Sequence, residues 1–241
     1  MSRIRRIYMV RLAARVVALA GCAWLYAFRR AEFALLDGWN FFRRISVLHL
    51  FWIAWMADMI PQLAPVGRDV ALGSQKLFRN RFRPAAVLPG KDAIRGYIRS
   101  VAGPTAGIAV MWAGLLAGIV AARVLGLLDA AGAFLISAVF YVCDLVCVLI
   151  WCPFRLMLGN RCCTTCRIFN WDHIMMLSPL ALAPGFFGWS LVLAAGAVLI
   201  VWEAGVARHP ERFWYGSNEA LRCSACTDKL CTQYCGRKDR Q

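Results

Sequence analysis

Acidic residues and histidines are scarce in this chain: 13 Asp and Glu stand against 28 Lys and Arg, with 3 His among 241 residues. Charged residues of both signs amount to only 17%, where a soluble globular domain carries about a quarter. No Gly-rich phosphate loop, Ser–His–Asp arrangement or H-E-x-x-H element occurs. The sequence therefore gives no ground for nucleotide chemistry, triad hydrolysis or zinc-peptidase chemistry. Internal repeats, low-complexity tracts and a soluble domain of any size are lacking too. These absences point to a non-enzymatic protein with little water-facing surface.

What the chain does have is apolar. Hydrophobic residues make up 61% of it, and the mean hydropathy is +0.57. This composition predicts an all-α, multi-pass integral membrane protein. The formal charge of +15 looks at first like a nucleic-acid signal. Most of the Lys and Arg, however, flank apolar runs, where they set topology and meet anionic headgroups. The bilayer and its headgroups are the expected partners, and nucleic acid is not.

Six transmembrane helices are expected, over about 7–28, 45–66, 101–122, 130–152, 168–183 and 186–206. The first must borrow from Ile7 to Leu12, because the run from Val16 to Phe28 is short by itself. Its Arg side chains are then expected to snorkel to the interface. The box Leu19-Ala-Gly-Cys22 has the form of a lipoprotein cleavage site. Only six residues separate Arg15 from Cys22, too few for the apolar region of a signal peptide. A cleaved signal nevertheless stays open beside the helix. Between the second and third spans, Lys76-Leu-Phe-Arg-Asn-Arg-Phe-Arg83 interleaves basic and aromatic residues, as an interfacial segment does. In the third span Gly103, Gly107, Gly114 and Gly118 share one helix face. That strip predicts close approach of another helix backbone, within the chain or in a dimer.

The fifth and sixth spans come from one block. From Ile174, 33 residues carry a single charge, Glu203. As one helix they would reach about 50 Å against a roughly 30 Å hydrocarbon core. Pro184-Gly185 and Gly188 mark a turn, so a helical hairpin is expected. With the N-terminus inside, the inner segments carry 23 Lys and Arg and the outer ones 5. This positive-inside bias predicts a plasma-membrane protein with both termini in the cytoplasm.

Eight of the eleven Cys fall at or beyond Cys152. Cys163-x-x-Cys166 and Cys223-x-x-Cys226 each set two thiolates close enough to grip one ion, and two such turns complete a tetrahedron around zinc. The pairing resembles the knuckles of a zinc ribbon over these few residues, although 56 residues, including a membrane hairpin, separate the halves. Cys152, Cys162, Cys231 and Cys235 are possible additional ligands, and residues 207–241 form a cytoplasmic Cys-rich tail that could dock a protein partner. Zinc is the expected metal. An iron–sulfur cluster in a membrane redox protein is the alternative, although neither ferredoxin spacing is present. A third reading is a soft-metal transporter with Cys143, Asp144 and Cys147 as an intramembrane relay. Against it, Cys143 and Cys147 can be small apolar packing residues, and Cys152 is expected to point the opposite way. Asp144 must be paired or functional at that depth. His173 and His209 are further candidate ligands, and His49 is expected to be a hydrogen-bonded core residue. Trp151, Trp171, Trp202, Trp214 and Tyr215 suit an aromatic belt.

Overall fold

The computed structural model of the chain describes residues 3–64, 82–159, 165–222, 224 and 230. Among these residues every regular element is helical, with only two isolated β-bridges. The α-helices are α1 (Arg3–Phe28), α2 (Asn40–Arg43), α3 (Leu48–Leu63), α4 (Lys91–Val124), α5 (Ala130–Leu149), α6 (Pro153–Met157), α7 (Asp172–Leu177) and α8 (Phe186–Arg208). Four of them, α1, α4, α5 and α8, are long and apolar enough to cross a membrane. The chain is thus a helical membrane protein.

Helix boundaries depart from the periodicity in informative places. The first helix borrows the basic N-terminal residues and runs 26 residues. The helix of the third expected span, α4, starts at Lys91 rather than 101, because Ile94 and Ile98 continue its apolar stripe through the polar segment and pack inward. Pro104 sits inside α4, and the Thr105 hydroxyl donates to the Val101 carbonyl at 2.7 Å. The expected span 45–66 is the 16-residue helix α3, about 24 Å long. The expected helix 168–183 is broken: a 3-10 turn over Phe169–Trp171, then α7, then a 3-10 turn over Ser178–Leu182. Pro179, at the start of that second turn, has no N–H to carry an α-helix onward.

The core lies where α3, α5, α8 and the 172–182 segment meet, around Trp55, Phe134, Leu177, Leu180, Phe187 and Leu191, all fully buried. The aromatic rings of Trp55, Phe134 and Phe187 sit 5.5 to 6.4 Å apart at tilted or edge-on angles, the arrangement that ring quadrupoles favour. α1 lies against α5 on one side of this core.

Connections gather at two ends. At one end the Gly38 N–H donates to the Pro184 carbonyl at 2.7 Å, and the Phe186 N–H donates to the Gly38 carbonyl at 3.0 Å. Arg30 faces Asp129 there at 3.9 Å. Gly38 has φ +53°, and a Cβ on Gly185 would fall 2.0 Å from the Leu36 carbonyl oxygen, so both positions require glycine. At the other end Pro84 bridges to Asn218. The Ala85 N–H donates to Ser217 and the Glu219 N–H to Arg83. α8 joins the two ends over 23 residues, or about 35 Å.

For the glycine strip of α4, the intramolecular half of the expectation is corrected. Among the described residues no atom lies within 4 Å of the Cβ positions of Gly103, Gly107, Gly114 or Gly118, so no described helix of this chain approaches them. α4 leans on the body through other positions, Thr105, Ile108 and Ile119. Gly185→Ala is therefore expected to destabilise the detergent-solubilised protein by about 1–3 kcal/mol, the cost of overpacking against backbone. Gly114→Ala should leave thermal unfolding within about 0.5 kcal/mol of wild type, as an open surface site does. Equal shifts in the two melts would refute the assignment of close approach to the Gly185 turn.

Candidate functional site

Arg15 stands twelve residues into the 26-residue helix α1, and it turns inward instead of snorkelling. Its guanidinium donates to Asp144 Oδ2 on α5 at 2.9 Å and to Asp58 Oδ2 on α3 at 3.1 Å. It also donates to the Tyr141 carbonyl at 2.6 Å and lies 3.5 Å from the centre of the Tyr141 ring. The Tyr141 hydroxyl completes the set, donating to Asp58 at 2.9 Å. The Arg15 side chain is only 11% exposed. One cation is thus shared by two acids from two other helices, and the planar fork of arginine serves both. A charge at this depth is tolerated only when paired in this way.

A second polar group lies on α7. His173 is buried and contacts Asp172 through Nδ1 at 2.8 Å and the Gln62 amide at 3.2 Å. These contacts give it the hydrogen-bonded role instead of an open ligand position. His209 lies 3.3 Å from Glu211. His49 meets the carbonyls of Ser46 and Phe41, each at 3.0 Å, as expected of a satisfied core histidine.

Beside these groups a cavity of about 260 Å³ opens between α4, α5, α6 and α7. Six sulfur-bearing side chains line it: Cys143, Cys147, Cys152, Cys166, Met175 and Met176. Asp144 and Asp172 are its acids, Arg155 its base, and Trp112, Phe140, Phe154 and Phe169 its aromatic wall. Asp144 therefore belongs both to the Arg15 cluster and to the cavity wall. Cys152 does not point away from the α5 thiols. α5 ends at Leu149, and Cys152 caps α6 in extended backbone. The chain thereby swings back, and the Cys147 and Cys152 thiols come within interaction distance of each other. Helical periodicity carried past position 149 predicts the opposite face, which is why this contact is hidden from spacing alone.

Of the candidate zinc ligands, Cys166 is buried at the Pro84–Asn218 end, packed with Ile108, Ile168 and Met175. The loop that carries it is clamped to α8: Arg167 makes a two-pronged ion pair with Glu203, and the Trp202 indole donates to the Arg167 carbonyl at 2.8 Å. The Trp171 indole also donates to Glu203, at 2.7 Å. Residues 210–222 fold back on the same end, with Trp214 stacked on Tyr97 at 5.4 Å and Phe213 edge-on to Trp202 at 4.9 Å. Trp202 is wholly buried, so it is core and not part of an aromatic belt, while Trp151 and Tyr215 are exposed. Cys162, Cys163, Cys223, Cys226, Cys231 and Cys235 lie outside the described residues. Among the described residues no three His, Cys, Asp or Glu side chains are grouped to share one ion. No protein-family model, curated protein or solved structure matches this chain.

Removing Arg15 would leave Asp58 and Asp144 uncompensated. Arg15→Met is expected to cost about 3–5 kcal/mol, the range for breaking a buried pair. Combining Arg15→Met with Asp58→Asn and Asp144→Asn should recover most of that loss. Thermal unfolding in detergent checks both; a triple variant no more stable than Arg15→Met would show that charge balance is not what the cluster contributes.

Proposed function

We propose that this chain is a six-pass plasma-membrane protein whose inner face carries a Cys-rich metal module, without enzymatic activity of its own. The short helix α3 and the broken 168–183 segment supply the two crossings beyond the four long helices. Support comes from the two ends of the fold. The segments 29–44, 123–129 and 184–185, which together carry 5 Lys and Arg against 23 in the remaining connecting segments, meet at the Gly38–Gly185 end. The basic segments before α4 and after α8 meet at the other. The positive-inside bias then makes the Pro84–Asn218 end cytoplasmic.

The observation that carries the metal reading is the Arg167–Glu203 clamp. It holds the loop bearing Cys166 against the end of α8, from which the tail bearing Cys223 and Cys226 departs. Cys163, Cys166, Cys223 and Cys226 can then close a four-thiolate zinc site between loop and tail. Cys152, Cys162, Cys231 and Cys235 supply thiols for a second site or for an iron–sulfur cluster. A protein partner docking on this module is the role its position suits.

Elemental analysis of protein purified without chelator tests the reading. Wild type should hold about one zinc per chain and Cys226→Ser none, following the four-ligand rule for structural sites. Iron with acid-labile sulfide would put the redox alternative in its place, and metal-free protein with paired thiols by mass would overturn both. A reporter fused after Gln241 should be active only if it works in the cytoplasm. Activity of a periplasmic reporter there would sink the six-pass arrangement.

A further inference from the structure

Cys147 and Cys152 lie outside the proposed Cys163–Cys166–Cys223–Cys226 zinc site, and they combine three features. Cys147, in the last turn of α5, and Cys152, at the head of α6, lie within interaction distance of each other. Both open on the 260 Å³ cavity, where the thioethers of Met175 and Met176 and the thiol of Cys143 form part of the wall. Finally, no trio of His, Cys, Asp or Glu is assembled there among the described residues. The donor set is thus a thiol pair with soft sulfur nearby, the two carboxylates of the wall being engaged with Arg15 and His173.

We infer that Cys147 and Cys152 form a two-coordinate site for a thiophilic monovalent cation of the Cu(I) class. Thiolate and thioether sulfur select Cu(I) over harder ions, whereas carboxylate and water select Mg²⁺ or Ca²⁺. Zinc takes four ligands in a structural site, which a pair does not supply. A monovalent ion also suits the apolar wall. The cost of moving an ion out of water rises with the square of its charge, and two thiolates neutralise a single positive charge with one negative left over. Arg155, on the same wall, is placed to offset that remaining charge. Binding breaks two S–H bonds, forms two S–metal bonds and releases two protons to solvent, without oxidation or reduction. Affinity must therefore rise with pH. Phe154, Phe169 and Trp112 keep water from competing for the ion. This site uses neither Cys166 nor the tail, so it stands whether or not the zinc reading does.

The test is anaerobic titration of the full-length, detergent-solubilised protein with Cu(I) held by a competing bidentate chelator. Wild type should bind one Cu(I) more than either Cys147→Ser or Cys152→Ser. Each single variant should lose the whole equivalent, because one thiolate cannot hold the ion against the chelator. Zinc content should be the same in wild type and Cys147→Ser, and Cys22→Ser should match wild type. Alkylation followed by mass spectrometry on wild type alone guards against variants that do not fold. Cu(I) should slow modification of Cys147 and Cys152 at least ten-fold relative to Cys143. Unchanged stoichiometry in variants that fold as wild type, or unchanged alkylation of both thiols, would overturn the site. So would isolation of a Cys147–Cys152 disulfide that forms equally fast with and without Cu(I), which would make the pair a redox element.

Discussion

A single guanidinium near the middle of the first helix organises the interior of this protein. Arg15 reaches Asp58 and Asp144 and lies over the ring of Tyr141, so α1, α3 and α5 are tied together by charge. An apolar surrounding makes that tie exacting. Helices in lipid gain little from hydrophobic contact with one another, and a charged side chain left unpaired at that depth costs several kcal/mol. Rotating any one of the three helices would separate a carboxylate from its cation. The cluster thus acts less as a source of net stability than as a constraint on helix rotation, consistent with the balance between desolvation and attraction in buried pairs.

Asp144 gives this constraint a chemical consequence. Its neighbours on the same turn and the next, Cys143 and Cys147, are carried to the cavity wall by the same rotation that brings the carboxylate to Arg15. The short link after α5 then returns Cys152 to Cys147, and α7 adds Met175 and Met176. A concentration of sulfur at one end of the bundle follows from three local facts: where α5 ends, how α5 is rotated, and where the broken 168–183 segment turns. Its carboxylates are either engaged with Arg15 or with His173, which leaves the sulfur atoms as the characteristic donors.

The two ends of the fold are built in contrasting ways. At the Gly38–Gly185 end, backbone meets backbone, and glycine is needed because any Cβ would occupy the Leu36 carbonyl. At the opposite end, side chains dominate: the Arg167–Glu203 pair, the indoles of Trp171 and Trp202, and the stack of Trp214 on Tyr97. This polar and aromatic clasp holds the Cys166 loop, the start of α4 and residues 210–222 as one unit. The glycine strip of α4 remains outside both constructions, on a helix face that no other described part of the chain covers.

Composition and run length by themselves determined the class of this protein. Apolar content and the length of the longest apolar runs are local, additive properties, and they were legible without coordinates. The hairpin turn at Pro184-Gly185 was legible too, because its residues permit little else. Pairing was not. Nothing in the spacing of Arg15, Asp58 and Asp144 tells which faces they occupy once helices pack, and Arg15 reads as one more interfacial arginine. Cys152 reads as pointing away from Cys147 because periodicity assumes that α5 continues past Leu149. The α4 glycines read as a contact strip because small residues permit close approach but do not compel it. Each of these was decided by helix rotation and helix ending, which depend on packing between segments far apart in the chain.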